Sequence, residues 1–208
     1  MSNVSQGKIG ELKYLRFEPT GFSEDKKFPT IIHLHGAGSR GDNVEILNNQ
    51  SIMRYANDTE NFPFVMFLPQ CNADCWFELF EQLREFVKNV VELPYVDRSN
   101  VYLSGVSMGG YASWQMLMSE PAIFRKAIIC CGGGMYWNAA RIRIPVWAFH
   151  GTDDPTVFFE ESEKMVNAVN RNGGKAKLTE YKGVGHNCWD LTYSNPETYA
   201  WLLSEEEK

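Results

Sequence analysis

Short, nearly unbroken apolar runs alternate along this chain with longer stretches in which apolar residues recur every third or fourth position. The runs lie at 29–35, 62–70, 101–106, 126–131, 145–151 and 177–181. Runs of this length, flanked by Gly and Pro, predict buried β-strands, and their continuity predicts strands covered on both faces. Residues 8–18 differ: Leu12 and Tyr14 alternate with charged neighbours, and Leu15 and Phe17 fall on the other face. That pattern predicts one partly exposed, antiparallel edge strand. Between the runs, 76–92 carries Leu79, Leu83, Phe86, Val87, Val90 and Val91 at helical spacing. Helices are also predicted over 44–57, after Ser107 up to Glu120–Pro121, around Met165, Val166 and Val169, and near 196–204.

Strand and helix in alternation imply an α/β fold, a mostly parallel sheet flanked by helices on both faces. Active sites in such sheets lie at the carboxyl ends of the strands. Four glycine-rich or polar turns occupy those ends, at 36–41, 107–110, 152–155 and 183–187.

Composition narrows the picture. The 208 residues fit a single domain, 1–208, with a substantial core. A net charge of −6 without any Lys/Arg cluster argues against nucleic acid as a partner. No apolar stretch reaches the ~20 residues of a membrane span. The first residues lack the basic start and apolar core of a signal peptide, so the chain is expected to be cytoplasmic. Five cysteines at irregular spacing form no disulfide framework, although Cys71 and Cys75 are near enough in sequence to pair. His33 and His35 invite a metal reading, but no carboxylate or further histidine follows at ligand spacing. No metal and no organic cofactor is expected.

The chemistry centres on Gly105-Val106-Ser107-Met108-Gly109, a G-x-S-x-G sequence between a predicted strand and a predicted helix. Such a turn lifts the serine oxygen clear of the sheet and sets it at a helix N-terminus, whose free N–H groups suit an oxyanion. A serine hydroxyl needs a base, and the base needs a carboxylate to orient it. His186, in Gly-Val-Gly-His after the last strand, is the candidate base. The carboxylate lies in Asp153-Asp154. The order serine, acid, histidine is that of the α/β-hydrolases.

With these residues in hand, the chain resembles the small esterases of the α/β-hydrolase superfamily, close to phospholipase/carboxylesterase and acetyl-xylan or feruloyl esterase-like proteins. The resemblance runs from His33-Leu34-His35-Gly36-Ala37-Gly38 through the serine turn to Gly185-His186-Asn187. It includes His150-Gly151-Thr152-Asp153-Asp154-Pro155-Thr156-Val157, which fits the family pattern H-G-x-x-D-x-x-V. That pattern implies Asp154 as the acid, giving a triad of Ser107, Asp154 and His186. It implies the N–H groups of Ala37 and Met108 as oxyanion donors. Phe158 stands where such families often have proline, making that wall bulkier. Gln70, Trp76, Trp137 and Trp189, all near strand ends, are the candidate substrate contacts. The connection from Gly132 to Ile144 is too short for a helical lid or cap, so an open groove is expected. The expected substrates are short-chain acyl esters, small molecules or acylated saccharides. A thioesterase or small peptidase on the same triad, or a binding protein of this fold without turnover, are the alternatives.

Overall fold

The computed structural model describes residues 3–205. Eight strands form one sheet: β1 (Asn3–Ile9), β2 (Leu12–Glu18), β3 (Phe28–Leu34), β4 (Val65–Pro69), β5 (Val96–Val106), β6 (Lys126–Cys130), β7 (Val146–Gly151) and β8 (Ala176–Tyr181). Their order across the sheet is β1-β2-β4-β3-β5-β6-β7-β8. From β4 to β8 every neighbouring pair is parallel, while β1, β2 and β4 pair antiparallel. Among the described residues, six α-helices flank the sheet: α1 (Ser51–Asp58), α2 (Phe80–Val91), α3 (Met108–Ser119), α4 (Glu160–Arg171), α5 (Cys188–Ser194) and α6 (Pro196–Leu203).

Alternate strand residues feed two cores, as the two-residue period of a strand dictates. Ile32, Leu34, Val65, Phe67, Leu103, Ala127 and Ile129 point to the face covered by α2, α3 and α4. Ile31, Met66, Leu68, Tyr102, Ile128 and Phe149 point to the face covered by α1, α5 and α6. Among the described residues there is no cap domain. The stretch from Gly132 to Ile144 contains only a 3₁₀ turn, Tyr136–Arg141.

Several local expectations need correction. The single edge strand over 8–18 is a hairpin. Gly10 takes φ +55, a left-handed conformation that glycine adopts freely, and reverses the chain between β1 and β2. Residues 44–57 hold a 3₁₀ turn, Val44–Asn49, before α1 begins at Ser51. The short helix α5 directly behind His186 is absent from the sequence reading. All five cysteines are unpaired, so Cys71 and Cys75 form no disulfide.

Candidate active site

The site lies at the carboxyl ends of the parallel strands. Ser107 directly follows β5 and caps α3 with φ 53 and ψ −116, an unfavourable conformation costing about 1–3 kcal/mol. Neighbouring packing enforces it. A Cβ on Gly105 would stand 2.2 Å from Ser113 Oγ and 2.4 Å from the Gly109 carbonyl oxygen, and one on Gly109 would stand 2.0 Å from the Leu34 carbonyl oxygen. Side chains are therefore excluded on both sides of the serine, and β3, β5 and α3 meet backbone to backbone. The Ser107 N–H is held by the Cys130 carbonyl at 3.0 Å.

His186, on the loop between β8 and α5, brings Nε2 to 2.9 Å from Ser107 Oγ. Its Nδ1 donates to Asp154 Oδ2 at 2.7 Å. Asp154 follows β7, and its Oδ1 accepts the backbone N–H groups of Thr156 and Val157 at 2.8 and 3.0 Å. Burial alone raises the carboxyl group, but the His186 hydrogen bond and the two backbone donors outweigh it and hold Asp154 below the ordinary carboxylate range. Asp153 instead accepts the neighbouring Thr152 hydroxyl. The structure thus brings Ser107, His186 and Asp154 into one hydrogen-bonded line and leaves Asp153 outside it.

Met108 is the first residue of α3, so its N–H has no acceptor within the helix. Ala37 opens a 3₁₀ turn, Ala37–Ser39, on the loop after β3. Ala37 lines the same cavity as Ser107, and Met108 directly follows the serine in sequence. His35 braces the loop, with Nδ1–H donating to the Gly36 carbonyl at 2.7 Å and Nε2 accepting the Cys71 N–H at 3.0 Å. Burial lowers His35 to about 4 and His33 to about 3, so both rings are neutral near neutrality. The strand ends at Leu34. His35 turns toward Trp76, whereas His33 packs on Tyr193 from the opposite core.

Two expected substrate contacts are corrected by their burial. Trp76 is 0% exposed and donates its indole N–H to the His35 carbonyl; Gln70 is 2% exposed and donates to the Ser39 carbonyl at 2.6 Å. Both lie behind the Ala37 loop and hold it, with no surface facing a substrate. Trp189, in the first turn of α5, lines the cavity and meets the His186 ring edge-on at 5.2 Å. Trp137 is 71% exposed and lies outside the cavity lining.

The cavity at Ser107 measures about 430 Å³. One wall is the loop from Gly36 to Ser39; the other carries Gln50, Ser51, Arg54 and Asp190, with Arg54 paired to Asp190 at 2.8 Å. Sequence reasoning missed this polar wall, since residues on α1 and α5 carry no motif. Among the described residues, one group of three donor atoms has metal-like proximity, Cys131 with Asp154 and His186, all within 4.8 Å. Two of these are already hydrogen-bonded to each other, which leaves a single thiol beside the pair.

Comparisons with known proteins agree with this architecture. The family model described as Phospholipase/Carboxylesterase matches residues 62–194. Carboxylesterase SOBER1 of Arabidopsis thaliana is 25% identical, the match covering 75% of this chain and 82% of that protein. Feruloyl esterase B of Piromyces equi is also 25% identical, over 80% of this chain but only 31% of its own length. The solved structure of a thermostable esterase superposes with a TM-score of 0.81 at 31% identity, covering 97% of this chain and 62% of that one. The chain therefore spans less than two thirds of these last two relatives.

Proposed function

The chain belongs to the phospholipase/carboxylesterase family, a family of carboxylesterase-type hydrolases, and from that premise we propose that it hydrolyses short-chain carboxylic esters through a Ser107–His186–Asp154 triad. The observation that carries this reading is the unbroken line from Ser107 Oγ to His186 Nε2 at 2.9 Å and from Nδ1 to Asp154 at 2.7 Å. It stands on a serine held in strained backbone at a helix N-terminus.

In this mechanism Ser107 Oγ attacks the ester carbonyl carbon as His186 Nε2 takes its proton. Asp154 accepts the Nδ1–H, fixes that tautomer and stabilises the imidazolium. The N–H groups of Met108 and Ala37 receive the oxyanion. His186 then protonates the departing alcohol, and a water activated by the same ring releases the acyl group from Ser107.

Substrate size follows from the walls. Without a lid, and with Gln50, Ser51 and Arg54 on one side, the cavity offers a long acyl chain little apolar cover. Each buried methylene is worth ~0.8 kcal/mol, so that loss removes most preference for long chains. The same polar wall suits an ester carried on a hydroxyl-rich body such as a saccharide. All five cysteines being unpaired fits a reducing compartment, and we place the chain in the cytoplasm. No helix among the described residues is long and apolar enough to cross a membrane. A panel of p-nitrophenyl esters tests the substrate class: kcat/KM should peak between acetate and butyrate and fall beyond about eight carbons. A steady rise to palmitate would contradict it.

A further inference from the structure

His150 is the penultimate residue of β7, four residues before Asp154, and it is fully buried. Its Nε2 lies 3.1 Å from Asp154 Oδ2 and 2.9 Å from the Val157 carbonyl oxygen. Two acceptors at one ring nitrogen require a proton there, so Nε2 is a donor. The other nitrogen, Nδ1, sits 2.7 Å from Ser162 Oγ, which is also 3.0 Å from the Gly132 carbonyl. Ser162 is itself buried, and the Phe159 ring packs edge-on against the imidazole. The ring is thereby clamped from α4 and cannot turn away from the carboxylate.

We propose that His150 is a positioning residue that works through Asp154, its Nε2–H being a second imidazole donor on the same Oδ2 atom that His186 uses. This inference rests on the triad reading above. With it, Asp154 accepts four N–H groups, two backbone donors on Oδ1 and two imidazoles on Oδ2. A carboxylate so held has one orientation. It also gives less electron density to His186 Nδ1–H than a carboxylate with that ring alone. His150 is absent from the cavity lining, so its action on catalysis passes through the acid and not through substrate contact.

The sign of the effect follows. Removing the His150 donor leaves Oδ2 more basic, so the His186 imidazolium is better stabilised and the ring holds its proton to higher pH. The acid limb of kcat/KM should then move upward. Other titratable groups face Asp154: Cys131 just after β6, Cys188 on α5 and Tyr111 on α3, with Glu161 of α4 beside Tyr111. Burial raises Tyr111; the Cys130 thiol lowers Cys188, but the Cys131 thiol and burial outweigh it and raise that group, so neither changes charge on the acid limb.

The test compares His150→Leu, His150→Gln, Ser162→Ala and Asp154→Asn in the full chain. Glutamine sets an amide N–H at about the reach of Nε2. His150→Leu should lower kcat by about tenfold or more with KM nearly unchanged, the scale on which orienting partners act. It should also raise the acid limb by about half a pH unit and shift the far-downfield proton resonance of His186 Nδ1–H. His150→Gln should restore most of the rate and return the limb toward wild type. Ser162→Ala, which loosens the clamp but keeps the donor, should fall between them. The proposal is overturned if the folded leucine and glutamine variants lose activity equally with an unmoved limb and resonance, or if the leucine variant matches wild type. Should His150→Leu fail to fold, an unmoved limb and resonance in Ser162→Ala together with no rate in His150→Gln overturns it equally. Wild-type activity in Asp154→Asn would instead sink the triad reading itself.

Discussion

Around Ser107, a Cβ added to either flanking glycine would come within 2.0–2.2 Å of another group, whereas across the cavity Arg54 and Asp190 stand about half exposed. The first region is fixed by backbone meeting backbone, and a single methyl group has nowhere to go. The second is a set of surface side chains on α1 and α5, held by hydrogen bonds and one exposed ion pair. The contrast separates two tasks. The strained serine turn is built where the fold cannot yield, and the polar wall of the cavity is built where residues can be exchanged at little cost to stability.

The strongest way to break this contrast is Gly109→Ala. The new methyl would meet the Leu34 and His35 carbonyls, both backbone, so nothing nearby can swing aside. Overpacking of this kind costs 1–3 kcal/mol and sometimes more, and here the upper end is expected. Urea unfolding should show a loss of about 3 kcal/mol, and any folded fraction should have lost esterase activity. Wild-type stability would mean that the β3–α3 contact is looser than described.

A smaller effect separates the two regions by pH. His33 and His35 lie on the rigid side, lowered to about 3 and about 4, mainly by burial. Their unfolded value is about 6.5. Below it the unfolded chain takes up protons that the native rings refuse, so stability is full above about pH 6.5 and is lost as pH falls toward 4 and then 3. For His35 the loss is roughly 3 kcal/mol across that window. Melting temperature should therefore drop steeply from pH 7 to pH 4, and His35→Gln should flatten that slope whatever its stability at pH 7. An unchanged slope in the variant would place the acid sensitivity elsewhere.

The smallest effect belongs to the exposed wall. Arg54→Ala removes a pair with Asp190 worth at most about 1 kcal/mol, so stability should barely change. If Arg54 borders the substrate as the cavity places it, KM for a saccharide ester should rise several-fold while KM for p-nitrophenyl acetate stays constant. Equal change for both would make the wall a structural feature only.

The same contrast explains what could be read from the sequence. Ser107, Asp154 and His186 were legible because each follows an apolar run and a turn, and strand ends converge in a parallel sheet. The sheet itself was legible from those runs. Gly10 was not, since a hairpin of two polar-edged strands resembles one long alternating strand until φ is known. Gln70 and Trp76 read as groove residues from sequence because a position near a strand end does not say which way a side chain turns. Both turn inward to hold the Ala37 loop. His150 stood in a recognisable motif, but its contact with Asp154 depends on the curl of the chain from 151 to 154, which spacing does not encode. Arg54 and Asp190 reach one cavity from helices 136 positions apart in sequence, with no local signal in either.

The central claim is that Ser107 is the nucleophile and His186 its base. It is tested most directly by treating the protein with a fluorophosphonate and locating the adduct by mass spectrometry of its peptides. One phosphonyl group per chain is expected, on Ser107, at a rate that collapses in His186→Ala and with no adduct in Ser107→Ala. An adduct on another residue, or undiminished labelling of Ser107 without His186, would contradict it.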